Sequence, residues 1–173
     1  DTVFLSAWCK AQGIEFFECP EVLFEEKTVS STRIKELLSA GDVQTANLLL
    51  GDEFSFSGEV QKGDARGRTW GFPTLNQRWP EGLASVKRGV YQTVVTIDGK
   101  DYNAVTNIGV RPTYETEYIA AESYVLDYND FCYGKTVKTS LVKFLREEKK
   151  FSSKEELIAA IKGDAEYVKT HSK

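Results

Sequence analysis

The sequence predicts a mainly β chain: an antiparallel barrel or sandwich with a C-terminal helix, preceded by a small α/β segment. Three observations predict it. The hydrophobic period is near 3.6 up to about residue 51 and near 2 from Phe54 onward. Strand-like runs then follow one another with turn signals and no helical run between them, which favours antiparallel pairing over βαβ units. The last segment returns to the helical period behind a capping signal.

Residues 3–12 read as a short amphipathic helix stopped by Gly13, and residues 14–19 as a strand ended by Pro20. Ser30 or Ser31 offers an N-cap for a helix over 32–39, and Gly41 is placed for a left-handed C-cap. Asp42 caps a second helix that ends before Gly51. A strand between helices looks like the tail of an α/β domain, and about 50 residues bury too little apolar surface to stand alone. Phe54, Phe56, Gly58 and Val60 then alternate with Ser55, Ser57, Glu59 and Gln61 in a half-buried strand. Runs over 91–97 and 100–106 flank Asp98-Gly99, a type I′ hairpin signal because both residues tolerate positive φ. Further strands are expected over 119–126 and 136–144, with Gly134 in the polar, aromatic loop between them. In the final helix, Ser152 or Ser153 with Glu155 or Glu156 makes a capping box. Leu157, Ile161, Ala165 and Val168 form a stripe expected to pack on the sheet, and Gly163 weakens the middle.

Of the 173 residues, 41% are hydrophobic and 28% charged, a globular balance that excludes disorder, collagen and coiled coil as the main state. No apolar run approaches the roughly 18 residues that span a bilayer, so no membrane partner is expected. There is no methionine, and the sequence opens on Asp1-Thr2-Val3, which reads as a piece of a longer protein. The single histidine, His171, lies in a polar tail, which argues against a histidine base, a Ser-His triad or a histidine-built zinc site. Cys9, Cys19 and Cys132 show no Cys-x-x-Cys spacing, which points away from disulfides and zinc and toward a reducing, cytoplasmic setting. Residues 1–53 carry a net charge of −6 and the remainder +2, so a boundary is expected near residues 51–54, giving segments 1–52 and 53–173. A small barrel binding single-stranded nucleic acid gains little support from so nearly neutral a second segment.

Chemistry concentrates between Gly58 and Asn76. Gly58, Gly63, Gly67 and Gly71 occur there with Lys62, Arg66 and Arg68, ahead of Pro73-Thr74. Such a stretch can cradle phosphate through backbone N–H groups and arginines, or it can be a solvated basic loop; no Gly-Lys-Ser/Thr follows, so it is not a P-loop. Thr74 and Asn76 offer hard neutral oxygens that suit part of a magnesium shell, or they cap a turn. Glu122 stands in the apolar stretch 119–126, either as a surface-facing glutamate or as a base for a hydroxyl proton.

In order along the chain, these residues resemble a known family. Gly58-x-Val60-x-x-Gly63-x-x-x-Gly67-Arg68-x-x-Gly71-Phe-Pro-Thr-x-Asn76, Arg88-Gly-Val-Tyr91 and Asn107-Ile-Gly-Val-Arg-Pro-Thr113 are similar to the riboflavin kinase domain. Glu122-x-x-x-Leu126-Asp-Tyr, Tyr133-Gly-Lys135 and Phe144-Leu-Arg-x-Glu-x-x-Phe151 continue the likeness. Upstream, Val29-Ser-Ser-Thr-Arg33-Ile, Gly41-Asp42 and Leu49-Leu-Gly51 resemble the last motif of the FMN adenylyltransferase domain. Bacterial bifunctional FAD synthetases join the two domains in one chain. The likeness covers all but about the first 20 residues.

The resemblance implies a six-stranded Greek-key barrel with a C-terminal helix, and phosphorylation of the riboflavin ribityl 5′-hydroxyl by ATP to give FMN and ADP. It implies that Thr74 and Asn76 hold Mg²⁺ and the nucleotide phosphates, and that Glu122 accepts the hydroxyl proton. It also implies that the loop with Gly63, Arg66, Gly67 and Arg68 folds over ATP, and that Arg146 lies near the flavin. Residues 1–52 become the end of the adenylyltransferase domain and 53–173 the kinase domain. The adenylyltransferase's His-x-Gly-His element does not occur in the sequence, so these residues alone are not expected to convert FMN to FAD. A catalytically silent flavin- or nucleotide-binding module is the contrasting reading. The sequence departs from the family pattern at Leu75, expected to point away from the metal, at Tyr124 in place of histidine, and at Trp70.

Overall fold

The computed structural model describes residues 1–63, 67, 70–112, 117–130 and 132–172. They form two compact units, Asp1–Ser31 and Thr32–Lys173.

In the first unit, α1 (Thr2–Ala11) starts on Asp1, whose carboxylate accepts from the Val3 N–H at 3.0 Å. Gly13, at φ 69°, follows its end. β1 (Leu23–Phe24) and β2 (Lys27–Thr28) pair as a short antiparallel ribbon around Glu25 and Glu26, both at positive φ. The strand expected over 14–19 does not form. That segment has no ladder partner among the described residues, and Ile14 and Phe17 stay exposed. Without a neighbouring strand its apolar residues cannot fix an extended conformation.

The second unit takes in two helices as well as the barrel. α2 (Ser31–Ala40) ends in a Schellman motif: Gly41, at φ 89°, donates to the Leu38 carbonyl at 3.1 Å, and Asp42 N–H to that of Leu37 at 2.9 Å. The Asp42 carboxylate then caps α3 (Val43–Leu50) through the Thr45 N–H. Asn47 ties α3 to the sheet, donating to the Leu141 carbonyl and accepting from the Phe54 N–H, both at 2.8 Å.

Six strands close the barrel: β3 (Ser55–Gln61), β4 (Thr74–Arg78), β5 (Gly89–Ile97), β6 (Lys100–Pro112), β7 (Glu117–Val125) and β8 (Thr136–Arg146). Their order is β3-β4-β7-β6-β5-β8, every pair antiparallel. The β4–β5 and β7–β8 connections join strands that are not neighbours, a Greek-key arrangement. Asp98 and Gly99, both at positive φ, make the expected tight β5–β6 turn.

β3 carries the expected alternation, with Phe56 and Val60 buried and Ser57, Glu59 and Gln61 exposed, whereas β4 falls outside the strands the sequence predicts. Its sequence, Thr-Leu-Asn-Gln-Arg, buries a polar residue where the alternation would call for an apolar one. Gln77 is 1% exposed, and its amide is satisfied inside the barrel. It donates to the carbonyls of Gly58 (3.1 Å) and Val137 (3.0 Å) and accepts from the Thr139 hydroxyl (2.7 Å).

Core residues fall into three groups. Phe56, Tyr91, Ile108, Ala121 and Leu141 pack with Leu38, Val43 and Ala46 of the two helices. Val60, Val95, Val125 and Val137 fill a second cluster. The third lies on the outer wall, where Val90, Val105 and Leu126 meet Ala165 and Val168 of α4 (Lys154–His171). The expected capping box starts α4: Ser153 Oγ accepts from the Glu156 N–H at 3.2 Å, and Glu156 accepts from the Ser152 N–H at 3.1 Å. Gly163 sits within an unbroken helix.

Candidate active site

Strand register builds the site. Asn76 on β4 lies directly opposite Glu122 on β7, Glu122 opposite Asn107 on β6, and Thr74 opposite Tyr124. Because side chains alternate along a strand, Thr74 and Asn76 share one face, as do Glu122 and Tyr124. Leu75 takes the other face and packs against the cluster holding Val60 and Val125, which matches the expectation that it points away from the Thr74–Asn76 side.

Two clefts meet at Thr74. The larger, about 400 Å³, lies over the outer wall of the sheet and is bounded by Thr74, Glu122, Tyr124, Arg146, Phe151 and Ile161. Trp70 and Phe72 add aromatic surface to it, and Phe72 meets Tyr124 edge-on at 5.2 Å. The smaller, about 140 Å³, is bounded by Gly63, Thr74, Asn76, Tyr128, Cys132 and Tyr133. Burial pushes the Cys132 thiol and the Tyr128 phenol up, so both stay protonated near neutral pH.

Glu122 is mostly buried, its side chain 17% exposed, and its Oε1 accepts from Nε and Nη2 of Arg111. Arg146 lines the larger cleft, and its guanidinium is held by Asp164 of α4 through three contacts of 2.8–3.2 Å. The same guanidinium lies over the Phe151 ring at 5.8 Å. Asn76 Nδ2 donates to the Thr74 carbonyl at 3.3 Å, so Oδ1 is the atom of this amide that could hold a cation.

Gly63 is pressed against Asn76: a Cβ there would stand 2.5 Å from Nδ2. At Gly67 a Cβ would run into the Phe72 carbonyl. Arg66 and Arg68 lie outside the described residues.

The Thr74 hydroxyl and the Asn76 amide oxygen are hard neutral donors, and no group of three or more His, Cys, Asp or Glu that could hold a metal exists among the described residues. That donor set fits an ion whose shell is completed by phosphate oxygens and water.

Asn107, Arg111 and Glu148 fall in motifs that carry the resemblance, but the sequence assigned them no role. Asn107 donates to Glu148 at 3.3 Å, and Glu148 lies against Gly109. Arg111 and Glu122 are eleven positions apart in sequence, and the β6–β7 register brings them together. Gly109, inside a strand, was the available hint of a close approach.

A strand-borne carboxylate beside two neutral oxygen donors suits transfer of a phosphoryl group to a hydroxyl, which needs positioning and charge neutralisation more than covalent help. Residues 50–172 match the family model described as Flavokinase, riboflavin kinase. The bifunctional riboflavin kinase/FMN adenylyltransferase of Bacillus subtilis is 38% identical over 143 residues, which are 81% of this chain and 45% of that relative. The protein of the same description from Escherichia coli K12 is 38% identical over 137 residues, 79% of this chain and 44% of the relative. A crystal structure described as a macrolide-efflux protein from Streptococcus pneumoniae superposes with a TM-score of 0.88 at 32% identity, over 99% of this chain and 55% of that one. The chain belongs to the riboflavin kinase family. It spans about 45% of the length of the curated relatives it matches.

Proposed function

We propose that this chain transfers the γ-phosphoryl group of ATP to the 5′-hydroxyl of the riboflavin ribityl chain, giving FMN and ADP. The observation that supports it is the register that sets Glu122 opposite Asn76 and in one cleft with Thr74. Glu122 accepts the hydroxyl proton as the oxygen–phosphorus bond forms, and the bond from the γ-phosphorus to the bridging oxygen breaks to release ADP. Thr74 and Asn76 would hold Mg²⁺, which supplies charge neutralisation at the phosphate oxygens. The aromatic walls of the larger cleft, Trp70, Phe72, Tyr124 and Phe151, suit a flat heteroaromatic ring, with Arg146 on the same side. The smaller cleft beside Gly63 takes the nucleotide, and Gly67 borders the larger one.

Residues 1–52 are read as the end of an adenylyltransferase domain, residues 53–173 as the kinase domain, and the cytoplasm as the place of action. The parent chain then carries both activities, as the descriptions of its relatives state for them.

Glu122→Gln tests the reading, because it keeps the shape and removes the proton acceptor. Turnover of riboflavin to FMN, followed by chromatography, should fall about 100-fold while riboflavin and ATP binding survive. Unchanged turnover removes Glu122 from the mechanism. Binding of both ligands by the unmutated chain without any FMN formed would favour the silent module.

A further inference from the structure

On the face of β6 that carries Asn107, the next two positions are Gly109 and Arg111; on β7 the matching positions are Glu122, Ala120 and Tyr118. Gly109 and Ala120 are direct partners, so the row between Arg111 and Glu122 carries no side chain larger than a methyl. The Glu148 carboxylate stands over Gly109 in that row, and the Arg111 side chain lies back along the sheet across it to reach the Glu122 carboxylate. Arg111 is 40% exposed at the rim of the cleft, whereas Glu122 is 17% exposed inside it, so the pair bridges solvent and site. Two guanidinium nitrogens, Nε and Nη2, meet the same carboxylate oxygen, Oε1.

We propose that Arg111 is a positioning residue for the phosphoryl-transfer reaction: it holds Oε1 of Glu122 so that Oε2 faces the substrate hydroxyl. The inference rests on the reading of Glu122 as the base. A two-point hold on one oxygen fixes the rotamer of the carboxylate without using its second oxygen, and a misplaced base costs turnover more than binding. Lysine supplies the charge but not the fork, and restores the placement only in part.

The test is a double-mutant cycle in the full chain, reading kcat and the KM of riboflavin and of ATP. Arg111→Ala should lower kcat about tenfold with both KM values held within about twofold, and Arg111→Lys should recover part of the loss. In a Glu122→Gln background, Arg111→Ala should change kcat less than about twofold, because the group it positions is already disabled. An equal fall in both backgrounds, or a raised KM for ATP with kcat intact, would show that Arg111 acts on phosphate directly and overturn the proposal. So would an unaltered kcat in Arg111→Ala, and circular dichroism of each variant separates these outcomes from unfolding. If Glu122→Gln itself leaves kcat intact, the reading of the base fails; if only Arg111→Ala is silent, the positioning role alone fails.

Discussion

An added Cβ on Gly63 would stand 2.5 Å from Asn76 Nδ2 and 2.7 Å from Oδ1, well inside van der Waals contact. The atoms it meets belong to a side chain that can swing, so the strain is relieved by moving Asn76 rather than the backbone. Gly63→Ala should therefore leave the melting temperature within about 2 °C, since a change of a few tenths of a kcal/mol shifts it no further. If Asn76 holds Mg²⁺ as proposed, turnover should fall about tenfold with saturation moved to higher magnesium, because the displaced amide would leave the cation's shell incomplete. Titrating kcat against Mg²⁺ checks this, and an unaltered titration would remove Asn76 as a metal donor. Glu122 was legible in the sequence because a carboxylate inside an apolar strand needs a reason. Its partner Arg111 was not, since a cross-strand salt bridge is written in the register rather than in the local spacing.

At the scale of elements, what could be read was what depends on near neighbours. The caps of α3 and α4, the Gly41 termination and the Asp98-Gly99 turn each involve residues within five positions of one another, and each is as expected. β4 hid because Gln77 is held in the barrel by Gly58, Val137 and Thr139, partners up to 62 residues away. The strand expected over 14–19 failed for the converse reason: it has strand-like composition but no partner among the described residues. The α4 cap also carries a pH dependence. Hydrogen bonding by Ser152, through its side chain and then its N–H, holds the Glu156 carboxylate below its ordinary value of 4.5. A carboxylate with a depressed folded pKa supports the fold above its unfolded value and loses that support as the pH falls through the folded one. Ser153→Ala should cost about 1 kcal/mol at neutral pH through the lost N-cap. The urea midpoints of the unmutated chain and Glu156→Gln should differ at neutral pH and converge as the pH falls below the ordinary carboxylate range. Parallel curves across that range would show that the cap bond adds nothing in solution.

For the whole molecule, the change of hydrophobic period and the compact boundary fall at different places. The period changes at Phe54, yet the second unit begins at Thr32, because α2 and α3 bury Leu38, Val43 and Ala46 in the same cluster as Phe56, Tyr91 and Leu141. All three helix residues are 0% exposed, and α3 is also pinned by the two hydrogen bonds of Asn47. A chain starting at Glu53 would expose the strand side of that cluster and leave the Phe54 N–H without its acceptor. At roughly 1.5–3 kcal/mol for each large apolar side chain and less for alanine, the loss is on the order of 3–6 kcal/mol. That is a large share of the 5–15 kcal/mol or so by which a domain is stable. A chain starting at Ser30 keeps both helices and should match the full chain in urea midpoint and in FMN formation. The chain starting at Glu53 should unfold at much lower urea, or fail to accumulate, while riboflavin and ATP together shift its midpoint upward by mass action. Equal midpoints for the two truncations would show that the helices contribute nothing to the barrel, and the kinase unit would then begin where the period changes.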